Sequence, residues 1–84
     1  MDAIEQQAAY QLEATALAWE KSEAYRSCDT NAIWDVEERI RKFRERARAD
    51  GFSVRIVQKR VRGDSDGILY RLIGIVVPRD EPQR

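Results

Sequence analysis

Apolar residues recur with a helical period in the first half of this chain and with a strand period in the second. From about Asp2 to Tyr25 the chain is dense in Ala, Glu, Gln and Leu, which enter helices at little cost. At about 100° per residue, Ile4, Ala8, Leu12, Ala16 and Trp19 share one apolar face of this first helix. Ala3, Tyr10, Ala14, Leu17 and Ala24 form a second, and Asp2, Glu13 and Glu20 make a polar ridge between them. A helix with two apolar faces requires cover on two sides. Trp19, an aromatic on the first of these faces, is expected in the core.

The stretch Ser27-Cys28-Asp29-Thr30-Asn31 interrupts the helical pattern with turn and capping residues. A second helix is predicted from about Ala32 to Ala49. Asp29, Thr30 or Asn31 would supply its N-cap, with Asp35 as a competing start backed by Glu38. Ile33, Val36, Ile40, Phe43 and Ala47 form its apolar stripe, while Trp34 lies off that stripe and is free for an interface. Glu37 with Arg41 and Glu38 with Lys42 are expected as i,i+4 ion pairs. Gly51 then stops the helix.

Beyond Gly51, Phe52 to Arg62 and Ile68 to Val77 are rich in Val and Ile, and Gly63-Asp64-Ser65-Asp66-Gly67 lies between them. This predicts a β-hairpin with a five-residue loop. The expected fold is α+β, in the order α-α-β-β. It forms one domain over residues 1–78, with a polar tail over 79–84. Pairing Arg62 with Ile68 puts Phe52, Val54, Ile56, Ile68, Tyr70, Leu72 and Val76 on one side. Val57, Val61, Leu69, Ile73, Ile75 and Val77 fall on the other, so both faces need cover. A lone two-stranded ribbon is marginal and has open edges. We therefore expect a homo-oligomer, formed edge to edge or through spare faces.

That register also sets Lys59 opposite Arg71, with Arg55 on the same side. Like charges in that position either hold a phosphate or carboxylate, or show that a bulge near Ile56-Val57 shifts the pairing. The apolar side of the first strand switches at that point, which favours the bulge.

The chain has 15 basic and 15 acidic residues, but they are unevenly placed. Met1 to Glu38 holds nine acids and two bases, a net of −7; Arg39 to Arg84 holds thirteen bases and six acids, a net of +7. Either the halves neutralise each other, or a basic face meets an anionic partner. The candidate surface comprises Trp34, Arg41, Arg44, Arg48, Arg55, Lys59, Arg60, Arg62 and Arg71.

There is no histidine, and Cys28 is the single cysteine. An intrachain disulfide and a four-cysteine zinc site are excluded, and no cofactor or metal is expected. The usual nucleophile–base arrangements are missing, as are a P-loop and a GxGxxG motif. No apolar run nears the ~20 residues of a membrane helix, and the N-terminus is acidic where a signal peptide is basic. A cytoplasmic protein with Cys28 reduced is the expectation.

The function expected is non-catalytic: a small binding or inhibitory protein that occludes a macromolecular surface, with a protein or nucleoprotein target. Small motif-less proteins of this size are common in phages and mobile elements, including inhibitors of host defence. That is a likeness of size and style alone. The rival is a nucleic-acid-binding regulator using the basic second helix and hairpin. A third reading, a histidine-free RNase-type toxin, would use Tyr70, Arg71, Lys59 and Arg60.

Overall fold

A computed structural model of the chain describes residues 2–62 and 68–79, with the backbone alone for 61, 62 and 68–70. Two helices, α1 (Ala3–Ser27) and α2 (Thr30–Ala49), precede two strands, β1 (Phe52–Arg62) and β2 (Ile68–Pro78). This is the α+β arrangement that the periodicity predicts. The expected loop over 63–67 and the tail from 80 onward lie outside the described residues.

Each boundary has a local cause. The Asp2 carboxylate accepts the Glu5 N–H at 2.9 Å and starts α1. Cys28 adopts φ 55°, in the left-handed region, and its N–H returns to the Tyr25 carbonyl. Of the candidate caps for α2, Asp29 is the one used; its side chain accepts from the Asn31 and Ala32 N–H groups. Gly51, at φ 90°, donates to the Arg48 carbonyl at 3.0 Å and turns the chain into β1.

The α2 stripe is buried as its spacing predicts, through Val36, Ile40, Phe43 and Ala47, with Ile33 packed at its margin. From α1 the core takes Tyr10, Ala14, Leu17 and Ala24, and from the hairpin Phe52 and Val76. The Tyr10 ring lies between Phe43 and Phe52, with both centroids 5.6 Å away.

Only one of the two α1 faces is covered, and Trp19 is not in the core. Ile4, Leu12 and Trp19 are 80%, 73% and 61% exposed. The reason is distance. A Cβ built on Gly74 would stand 2.6 Å from the Ala14 carbonyl oxygen, so α1 and β2 touch backbone to backbone. Only the small-residue face permits that approach.

The hairpin is antiparallel and pairs in one unbroken register from Phe52↔Pro78 to Arg62↔Ile68. The bulge expected near Ile56-Val57 is therefore absent, and Lys59 faces Arg71 directly. The switch of the apolar side along β1 has a different cause. The side chains that β1 adds to the core end at Ile56, so Gln58 and Arg60, on the same side, are exposed and polar.

The two edges of the ribbon are treated differently. Gln11 donates to the Gly74 carbonyl at 2.7 Å and accepts the Val76 N–H at 3.0 Å, while Gln7 donates to the Val76 carbonyl at 3.0 Å. The groups on Gly74 and Val76 therefore point away from β1, and α1 seals this edge with side-chain amides acting as a short strand would.

Candidate interaction surface

Alternation along an antiparallel pair fixes which backbone groups of β1 point outward. Val76, which turns its N–H to α1, pairs with Val54, so that rung makes no inter-strand hydrogen bond. Arg79 donates to Gly51 at 2.8 Å, which places the bonded rungs at odd-numbered β1 residues. Val54, Ile56 and Gln58 thus present their N–H and C=O groups along the outer edge of β1. Among the described residues nothing hydrogen-bonds to them there.

Apart from Lys42, which is exposed on α2, the cations of α2 and the hairpin whose side chains are described fall mainly into two groups. Arg46 and Arg39 of α2 are matched by acids of α1: Arg46 bonds Glu13 at 2.6 Å, and Arg39 bonds Glu20 as well as Asp35 of its own helix. Arg41 is held along its own helix, 2.9 Å from Glu38 and 3.0 Å from Glu45. These carboxylates raise the pKa of all three guanidinium groups, chiefly through hydrogen bonds, and Arg41 holds Glu38 below the ordinary carboxylate range. Neutralisation between the halves of the chain therefore operates across the helix pair. The expected Glu37–Arg41 and Glu38–Lys42 pairs do not form. Glu37 instead accepts from Tyr25 at 2.6 Å and pairs with Lys21 at 3.5 Å across the helices.

The second group clusters around β1. Arg44, Arg48, Arg55, Lys59, Arg60 and Arg71 are exposed, and among the described residues none makes an ion pair. Arg44 and Arg48 lie one turn apart on the flank of α2. With Phe52, Ser53, Val54 and Arg79 they line a shallow groove of about 240 Å³ beside β1. A second groove of about 220 Å³ continues along α2 past Arg44 and Arg48 to Ile40, Arg41 and Glu45. Arg55, Lys59 and Arg71 share the face of the ribbon turned away from the core, around Val57 and Ile73.

Of the residues singled out from the sequence, Trp34, Arg41, Arg44 and Arg48 fall along one flank of α2 at 100° per residue. Trp34 is 74% exposed and lines a shallow recess with Ile33, Glu37, Glu38 and Arg41. Arg60 follows Lys59 directly and so points to the opposite face. The set imagined for an RNase, Lys59, Arg60, Tyr70 and Arg71, is thereby split. The side chains of Arg62 and Tyr70 lie outside the described residues.

Sequence reasoning missed Gln7 and Gln11. Their signal was present: two amides at i,i+4 beside Ala14 and Ala18, on the flank of a helix with a small-residue face. It also missed the pairing of the Tyr10 hydroxyl with the Asp50 carboxylate. That hydrogen bond is the first cause of a Tyr10 pKa above the ordinary value, with burial second.

A groove of about 430 Å³ between the helices, lined by Trp19, Glu20, Asp35, Val36 and Arg39, carries charges already paired to one another. Among the described residues no group of three or more His, Cys, Asp and Glu could hold a metal ion, and no helix is long and apolar enough to cross a membrane. The chain matches no protein-family model, no curated protein and no solved structure.

Proposed function

We propose that this protein is a small non-catalytic binding protein that docks its β1-centred basic surface on an acidic surface of a macromolecule and covers it. One observation carries the reading. The chain contains enough acid to neutralise every base, yet among the described residues Arg44, Arg48, Arg55, Lys59, Arg60 and Arg71 around β1 make no ion pair, while Arg39 and Arg46 between the helices are matched. A cluster that is solvated and unpaired raises the on-rate for an anionic partner and excludes cationic ones.

The test is affinity capture from the source cell with the wild-type protein and with the double variant Arg44→Glu/Arg48→Glu, after circular dichroism shows equal helix content. A macromolecule held by the wild type and lost by the variant is the expected result. Equal retention would dismiss this surface.

The direct Lys59–Arg71 pairing gives the nucleic-acid reading its own support, since a phosphate between them would relieve the repulsion. A salt titration on duplex DNA and on single-stranded RNA separates the readings. Binding to either that collapses with salt favours the regulator; none at low salt favours a protein target.

Self-association is a further part of the proposal. Ile4, Ala8, Leu12 and Trp19 stand exposed on the uncovered face of α1, and Ile75 and Val77 are exposed on the outer face of the ribbon. Exposed apolar side chains of this kind suit a second copy. A cytoplasmic location and a phage or mobile-element source are the setting we infer for such a protein, from its lone cysteine and its size.

A further inference from the structure

We propose that the open edge of β1 takes an extended acidic segment of a partner protein as a third strand. This names the partner chemistry for the docking surface proposed above, and it rests on that reading.

The asymmetry of the two edges is the starting point. The β2 edge is sealed at Gly74 and Val76 by Gln7 and Gln11, but the matching groups of Val54, Ile56 and Gln58 on β1 have no partner among the described residues. An unsealed edge next to a groove is a template for strand addition, in which the backbone gives affinity and alternate side chains give specificity.

Charge then selects the occupant. An added strand sends alternate side chains to the outer face, beside Arg55, Val57 and Lys59. Cross-strand complementarity asks for acid, apolar, acid at those three places, which is the pattern Glu-x-Val-x-Glu. The intervening side chains point towards the groove that holds Arg44 and Arg48. A second copy of β1 fits poorly in that place. Two edges meeting would gather both sets of Arg44, Arg48, Arg55, Lys59 and Arg60, and pairing centred on Val57 would set Arg55 against Lys59.

The probe is the end-capped peptide TTETVTETT, added to the full-length protein at low salt and followed by amide hydrogen exchange and by titration. Exchange should slow at Val54, Ile56 and Gln58, whose N–H groups point outward, and stay as it was at Arg55 and Val57, already bonded to β2. The lysine counterpart TTKTVTKTT should bind at least ten-fold more weakly. N-methylation of the two threonines flanking the valine should abolish binding, because their N–H groups bond β1. Binding unaffected by N-methylation, or without protection of those three amides, overturns the proposal. So does protection that rises with protein concentration alone, since a second copy then holds the edge. The capture experiment with Arg44→Glu/Arg48→Glu judges the basic surface separately, so a failed edge and a failed surface give different patterns.

Discussion

Gly74 lies so close to α1 that a methyl group there would stand 2.6 Å from the Ala14 carbonyl oxygen and 2.8 Å from the Ala14 Cβ. The obstacle is largely backbone and cannot swing aside, so α1 would have to retreat from β2. Gly74→Ala should therefore destabilise the fold by about 1–3 kcal/mol, the usual cost of overpacking. Urea unfolding followed by circular dichroism measures it, and a loss near zero would mean that α1 and β2 are further apart than described. Tyr10 invites a different test. Its hydroxyl donates to Asp50, which favours the protonated phenol and raises its pKa above 10.0. A group whose pKa is raised by folding stabilises the fold fully below its unfolded pKa and loses that contribution as pH rises through the folded value. Stability should thus decline at alkaline pH, from about pH 10 upward. Tyr10→Phe should cost about 1 kcal/mol at neutral pH and flatten that decline. Thermal melts of both proteins from neutral to alkaline pH check the sign; identical alkaline slopes would remove the Tyr10–Asp50 bond from the account.

Among the elements, α2 and the hairpin were legible because one pattern outweighed the alternatives. The α2 stripe from Ile33 to Ala47 is the only apolar face that helix has, and pairing Arg62 with Ile68 follows from the position of the Gly63–Gly67 segment. Helix α1 was ambiguous, since it carries two apolar faces and both were expected to be covered, with Trp19 in the core, whereas only one is. Ile4, Leu12 and Trp19 offer more area to bury, but Ala14 and Ala18 offer proximity, and proximity lets Gln7 and Gln11 reach the strand. The mistaken bulge has a related cause. Alternation reports which side of a strand is covered, and the cover on β1 ends at Ile56. The cation cluster was legible as a set of residues, but its division into paired and unpaired members depends on which helix faces meet. Gln11→Leu tests the edge seal. It leaves the Val76 N–H and Gly74 carbonyl without their partner at a half-buried site, for a loss of about 1–3 kcal/mol. Hydrogen exchange at Val76 should speed up well before global unfolding. Unchanged protection at Val76 would show that some other group closes that edge.

For the molecule as a whole, the two unsatisfied surfaces are of opposite kinds, one cationic and one apolar, and they meet on the outer ribbon face where Arg55 is paired with Ile75. The β1 edge is flanked by cations and, among the described residues, has open backbone groups; the β2 edge is sealed at Gly74 and Val76. A short chain buries a smaller fraction of its surface than a long one, and here the deficit appears as Ile4, Leu12, Trp19, Ile75 and Val77 left exposed. A two-fold axis that packs the α1 stripes of two copies together would make an isologous contact that covers Ile4, Leu12 and Trp19 and leaves Arg55, Lys59 and Arg71 accessible on the outer ribbon face. That contact uses side chains alone and leaves the β1 edge open for a partner. Sedimentation velocity across about 10–200 µM should accordingly show a dimer, as expected for micromolar self-association. Leu12→Ser/Trp19→Ser should shift it to monomer without loss of helix content, because neither side chain supports the core. Arg44→Glu/Arg48→Glu should leave the dimer intact while abolishing partner capture. A wild type that stays monomeric throughout that range would end the self-association reading, whereas a dimer dissolved by the charge reversal and unaffected by the apolar pair would move the subunit contact to β1 and take the edge away from any acidic strand.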